Sequence, residues 1–186
     1  MTTTVSNALS QSMQFSSRAI RARCSFTRPR VHSRFVPAGN DVNEGVELAG
    51  PAGLSVDGMS IYLYNGNNGV QYDTIDLTGT FSNMQAGFGV LHFPKAGLQN
   101  GAPDGLALVD STGAVVEFLS YEGAFEAADG PAIGIMSTDI GVSESGGTAV
   151  GQSLQRVGTG QLASDFMWTG PLTASFGSIN AGQTFS

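Results

Sequence analysis

Cysteine occurs once in the 186 residues, at Cys24, and histidine only twice, at His32 and His92. A single thiol excludes an intramolecular disulfide and Cys-ligated zinc, and its position leaves the chain beyond it without a thiol nucleophile. Acidic residues are absent before Asp41, lysine before Lys95 and glycine before Gly39. No apolar run approaches the roughly 18 residues of a membrane span. None in the first 40 positions reaches the roughly 7–15 apolar residues of a secretory signal. No long window keeps apolar residues at i, i+3, i+4 and i+7, so little helix is expected.

What is present divides into two pieces of opposite charge. Residues 1–40 carry Arg18, Arg21, Arg23, Arg28, Arg30 and Arg34, with seven Ser and four Thr, for a net charge of +6. From Asp41 onward only Lys95 and Arg156 offset fifteen carboxylates, giving 2 − 15 = −13. Arg-rich, Ser-rich and acid-poor is the composition of an organellar transit peptide. Met1 to Ser17 is uncharged and hydroxyl-rich, with the arginines after it. That order resembles a plastid (chloroplast) leader more than a mitochondrial presequence, which is the alternative. Ile20-Arg21-Ala22-Arg23-Cys24-Ser25 resembles a stromal cleavage region. The expectation is a disordered 1–40 leader ahead of one domain at 41–186.

That second piece is glycine-rich: 25 glycines follow residue 40, about 17% of the region against an average near 7%. They follow no repeat period, and thirteen aromatic residues after position 40 argue against a disordered linker. Short apolar runs broken by Gly, Asn and Asp predict an all-β sandwich or barrel. Strands are expected at 45–49, stopped by Gly50-Pro51, and at 59–64, where aliphatic residues alternate with Ser and Tyr. Asn65-Gly66-Asn67-Asn68-Gly69 should reverse the chain into a strand at 70–77. Another strand at 88–93 ends at Pro94, which cannot donate to a ladder. Asp110-Ser111-Thr112-Gly113 should close a hairpin between 105–109 and 115–121. Weaker strands are expected at 153–157 and 166–168. The stretch 122–152 breaks the rhythm, with only 133–136 and 140–142 as candidate pairings. Loops this long are uncommon and tend to be functional or mobile, although a plain connection crossing between sheets is the simpler reading.

Chemistry-bearing residues are sparse. His92 stands between large apolar neighbours in Val90-Leu91-His92-Phe93, with no evident nucleophile or orienting acid, so it is expected to be silent. No Gly-x-Ser-x-Gly elbow occurs. Calcium needs six to eight oxygen ligands. The long loop offers Asp129, Asp139 and Glu144 among several hydroxyls, but not the Asp-x-Asp-x-Asp-Gly spacing of a dedicated calcium loop. These three are the weak metal candidates; no catalytic or cofactor-binding residue is assigned. Asp104 and Asp110 read as turn formers. No phosphate-cradling Gly-Lys-Ser/Thr loop is present, and a domain at −13 repels nucleic acid.

Taken in order, the motifs resemble the lamin tail domain family, in particular the type found in bacterial secreted proteins. Glu44-Gly45-Val46-Glu47-Leu48 and Val56-Asp57-Gly58-Met59-Ser60-Ile61 are similar to its Phe-Val-Glu-Leu and Leu-Ser-Gly-Trp-x-Leu pair, with Met59 where the family has tryptophan. Residues 104–117 resemble its central hairpin. Ser153-Leu154-Gln155-Arg156, Trp168-Thr169 and Phe176-Gly177-Ser178-Ile179-Asn180 resemble its closing Ser-Leu-x-Arg, Trp and Pro-Gly-x-x-Asn elements. The opening strand of the family has no clear counterpart before Asn43; Arg34-Phe35-Val36 is a degenerate candidate. The resemblance implies an immunoglobulin-like β-sandwich and a non-catalytic module that binds a protein or glycan partner through loops or an exposed strand edge.

Three further readings stand beside it. One is a hydrolase using paired carboxylates. Another is a calcium-dependent glycan-binding module. The last is a fragment of a larger secreted-type nuclease or phosphatase protein. A hydrolase would converge two or three carboxylates of perturbed pKa in a concave pocket; a binding module would keep its acids in turns.

Overall fold

In the computed structural model, which describes residues 26–27, 44–99, 103–144 and 151–186, eleven strands form three sheets. Helix among the described residues is limited to a 3-10 turn at Ala163–Asp165. The protein is all-β. A two-residue strand, β1 (Phe26–Thr27), pairs with Leu154 and Ser153 and so joins residues before 40 to the body of the fold. The rest of residues 1–40, with Cys24 and the candidate opening strand Arg34-Phe35-Val36, lies outside the described residues.

The largest sheet grows from the expected hairpins. Strands β3 (Ser60–Asn65) and β4 (Val70–Asp76) flank the Asn/Gly turn, where the Asn65 and Asn68 side-chain oxygens accept from the Asn67 and Val70 N–H groups. Strands β6 (Asp104–Val109) and β7 (Val115–Tyr121) flank the Asp110 turn. One Asp110 carboxylate oxygen accepts from Thr112 N–H, Thr112 Oγ1 and Ala114 N–H, which fixes the reversal. A two-residue strand, β8 (Thr138–Asp139), runs parallel to β7 and completes the order β4-β3-β6-β7-β8. Across from it, β2 (Gly45–Pro51) pairs with β5 (Phe88–Pro94), whose last residue, Pro94, still aligns with Gly45. The third sheet centres on β9 (Gln152–Gly160). This strand is flanked by β1 and the parallel β11 (Gln183–Phe185) on one edge and by β10 (Phe166–Thr173) on the other.

Alternation explains the core. Ile61, Leu63, Leu106, Leu108 and Leu119 leave one face of the large sheet and meet Val46, Leu48 and Leu154 from the other two sheets. The opposite face carries Tyr64, Ala107, Val109 and Phe118, and it is buried too. Its cover is the segment 122–137, which contributes Phe125, Ala127 and Ala132. A third cluster joins Ala49 and Val90 to Phe185 of β11, which stacks on Phe88 at 4.9 Å between ring centroids.

Within the connection from the large sheet to β9 of the third, residues 122–137 are therefore a folded lid on a sheet face. It touches down through polar contacts at several places. Tyr64, inaccessible to solvent, donates to the Asp129 carbonyl at 3.2 Å and accepts from Ala132 N–H at 3.2 Å. Ala128 N–H reaches the Gly69 carbonyl at 2.7 Å, and Asp129 Oδ1 accepts from Gln71 N–H at 2.7 Å. Ser137 Oγ takes the Phe125 N–H and donates to Ser120 Oγ of β7. Glycine makes the close approach possible. A Cβ on Gly69 would collide with the Glu126 carbonyl, and one on Gly105 with the Leu119 carbonyl and the Phe125 ring.

Candidate functional site

β9 and β10 align Arg156 directly with Trp168, and side chains paired this way on one sheet face sit close enough to touch. The guanidinium lies 4.9 Å from the indole centroid. From there Nη2 reaches across to the large sheet and donates to Glu117 Oε1 of β7 at 2.6 Å. One arginine thus ties two sheets together by a cation–π contact and a largely buried ion pair. Removing either partner of such a pair is costly, because a charge is left in a poorly hydrated place.

Both side chains line a cleft of about 510 Å³. One wall is β7 from Val115 to Leu119, and the other is the lid's Ile135 and Met136 with β8. Between Leu108 and Val109 the β6–β7 register jumps from Glu117 to Val115, which makes Val116 the extra residue of a bulge. Bulges re-aim side chains and stop further strand pairing. β8 pairs with only Leu119 and Ser120, and Val116, Ile135 and Met136 are all exposed at the cleft. Met136 is the most open of them, at 59% of its full accessibility. Exposed apolar side chains gathered around a concave site are the ordinary mark of a binding surface.

The carboxylates have a different distribution. Asp57 Oδ1 accepts from Gly79 N–H, Asp104 Oδ1 from Gly66 N–H, and Asp165 Oδ2 from both Gln161 and Leu162 N–H. Glu44 takes Gly97 N–H and Glu47 takes Gly177 N–H, each tying down a remote segment. Donated hydrogen bonds hold Asp57 and Asp110 below the usual carboxylate range; at Asp73 the Lys95 ammonium is the main cause.

The three metal candidates part company. Asp129 fastens the lid to β4, and Asp139 stands on the cleft rim with its Oδ1 turned to Gly141 N–H. Glu144 is buried, with its charge felt at the Tyr121 hydroxyl. Among the described residues no group of three or more His, Cys, Asp or Glu is placed to hold a metal ion. Glu122 and Glu126, the remaining acids of this stretch, are exposed.

His92 lies on β5 opposite the fully buried Glu47. Its ring stacks on Phe176 at 4.1 Å, and its Nε2 fills the space a side chain at Gly45 would need. Nε2 is buried without a hydrogen-bond partner, and desolvation pushes the imidazole below its usual pKa. Burial likewise raises the hydroxyls of Tyr64, Tyr72 (to about 12) and Tyr121.

Sequence reasoning missed the cleft. Its usable signals were the arginine and tryptophan that are each single in residues 41–186, and an Ile-x-Met pair stranded in an otherwise polar loop. Among the described residues no helix is long and apolar enough to cross a membrane. Searches against family models, curated proteins and solved structures find no match to the chain.

Proposed function

We propose that the chain is a non-catalytic interaction module, an immunoglobulin-like sandwich of the lamin tail type, directed to plastids by its arginine-rich leader. The observation that carries this reading is the cleft itself. Exposed Val116, Ile135 and Met136 line it together with the Arg156–Trp168 contact, while the acids around the fold serve backbone N–H groups. Fixed carboxylates that already accept two or three hydrogen bonds are poor general bases, since their pKa is driven down. A layered core fed by the large sheet on one side and by β2 and β9 on the other supports the sandwich. Residues that resemble lamin-tail motifs lie on β2, at the start of β3, in the β6–β7 hairpin and on β9 and β10, with 176–180 between β10 and β11, and this placement supports the reading. Fold likeness leaves the partner open, so the site must define it.

The test is a matched pair of variants of the full chain. Met136 in the cleft and Met167 on β10, outside its lining, are both strongly exposed, so Met136→Arg and Met167→Arg should fold equally well. A partner that cross-links to the wild-type chain in plastid extract should be lost from Met136→Arg and kept by Met167→Arg. Equal capture by both variants would remove the cleft as the interaction site. Hydrolysis of a glycan, phosphoester or phosphodiester substrate by purified chain would replace the module reading with the hydrolase one.

A further inference from the structure

The lining of the cleft is of two kinds. Val116, Ile135 and Met136 bring exposed apolar side chains, and Trp168 brings a half-buried indole. Beside them stand polar groups: the Arg156–Glu117 pair and the two exposed residues of β8, Thr138 and Asp139. Each kind rules out a class of occupant. Arg156 and Glu117 already meet at 2.6 Å, so a charged ligand would compete with a largely buried ion pair that is costly to break. A wholly apolar ligand would strip water from the β8 hydroxyl and carboxylate without replacing their hydrogen bonds. An extended peptide finds no ladder to join, because the bulge at Val116 interrupts the edge of β7 and β8 already occupies its far end. What remains is an uncharged molecule with an apolar face and a rim of hydroxyl groups. That is the chemistry of a saccharide ring.

Resting on the module reading, we infer that the cleft binds one pyranose ring of an uncharged polysaccharide chain. The ring lays its C–H face against Trp168 and the Ile135–Met136 wall. Its C–H hydrogens are slightly positive, and the face of an indole is negative. Its hydroxyls meet Asp139 and Thr138. Asp139 Oδ1 is held by Gly141 N–H at 3.0 Å, which fixes the carboxylate and leaves Oδ2 to accept from the sugar. Thr138 adds a hydroxyl that both donates and accepts. β8 is held against β7 through Leu119 and Ser120, so these polar groups have a set position relative to the apolar wall. A few fixed polar groups in a partly apolar lining are how ligand sites impose orientation, and about 510 Å³ lies within their usual range of roughly 300–1,000 Å³. The exposure of Ile135 and Met136 leaves the cleft open to solvent, so the chain can continue past the bound ring.

Trp168 is the single tryptophan of the chain, so its emission reports on the cleft directly. Maltohexaose, cellohexaose and mannohexaose are neutral chains that differ in linkage and hydroxyl orientation. Each is titrated to millimolar concentration into the full chain and followed by Trp168 fluorescence and by calorimetry. At least one should bind and change the emission, with an affinity indifferent to sodium chloride, since a neutral ligand offers no charge to screen. Asp139→Ala and Met136→Arg should each weaken that binding tenfold or more. Met167→Arg, outside the lining, should bind as the wild type does. Failure of all three hexasaccharides to bind would overturn the inference. Binding that survives Met136→Arg, is lost equally from Met167→Arg, or ignores Asp139→Ala would place the sugar elsewhere and overturn it as well. If the cross-linked partner is lost from Met136→Arg while no hexasaccharide binds, the module survives and only its saccharide chemistry is wrong.

Discussion

Phe125→Ala separates a folded lid from a mobile loop. Phe125 lies in the lid, 7% exposed, edge-on to Phe118 of β7 at 5.4 Å and 89°. Its ring atoms are also among the nearest to where side chains at Gly66 and Gly105 would project, after the Pro103 and Leu119 carbonyl oxygens, so it packs against bare backbone on that side. Phe→Ala in a core of this kind costs about 3–5 kcal/mol, of which the edge-to-face contact accounts for roughly 0.5–1.5 kcal/mol. At about 2–4 °C per kcal/mol for a domain of this size, the melting temperature should fall by roughly 6–20 °C. Trp168 fluorescence and far-UV circular dichroism during a thermal scan provide the measurement. Because Ile135 and Met136 belong to the same lid, affinity for a cleft ligand should fall with stability. Amide exchange at Ala127 and Ala128, whose N–H groups bond to Ile135 and Gly69 carbonyls, should accelerate most. A drop under about 2 °C, with those amides already unprotected in the wild type, would refute the lid as a packed element. It would return 122–137 to the mobile loop that its composition suggests.

Three other outcomes follow from particular residues. His92→Gln should leave partner binding unchanged. It should also flatten the pH dependence of stability just below pH 6.5. The folded-state pKa is depressed by burial, so the neutral ring's contribution is present above the unfolded value of about 6.5 and is lost as pH falls toward the folded one; an unchanged urea-midpoint profile would contradict this. Asp57, Asp73 and Asp110, also depressed, act in a separate window, with stability lost as pH falls below about 3.9. Millimolar calcium should leave the melting temperature unaltered, since Asp129, Asp139 and Glu144 serve different places; a rise abolished by Asp139→Asn would restore the calcium reading. Residues 1–40 fused to a fluorescent reporter should carry it into plastids, and a diffuse cytosolic signal would count against the leader assignment.

The strands were legible wherever a local rule decided them. Alternation over 59–64 and the Asn/Gly and Asp110 turns place β3, β4, β6 and β7 within a residue or so of where they lie, because neighbouring residues alone determine those choices. Five elements escaped in whole or in part, among them the two-residue β1, within the stretch 1–40 expected to be disordered, and β8, between the candidate pairings 133–136 and 140–142. β10 runs on through Gly170-Pro171 with a register shift, so its far half pairs where local sequence argues against a strand. β11 is three residues long and exists through β9 and the Phe88–Phe185 stack. The lid is held by Tyr64, Gly69 and Gly105, residues far from it in sequence, so nothing within 122–137 announces that it covers a sheet.

The sequence by itself determined the all-β class, the hairpin turns, the split between a cationic stretch at 1–40 and an acidic region after it, and the scarcity of thiol and imidazole chemistry. Those properties are sums over composition or products of contacts a few residues apart, and they hold in any conformation the chain adopts. Only the tertiary structure decided which side chains meet. Arg156 finds Trp168 through strand register and Glu117 through the meeting of two sheets. Val116, Ile135 and Met136 become one apolar rim because a bulge and a lid bring together segments about twenty residues apart. The candidate acids, neighbours in sequence, were sent to different surroundings by the same packing. A site is a set of distances, and those distances are set by long-range pairing and close packing, which no local pattern encodes.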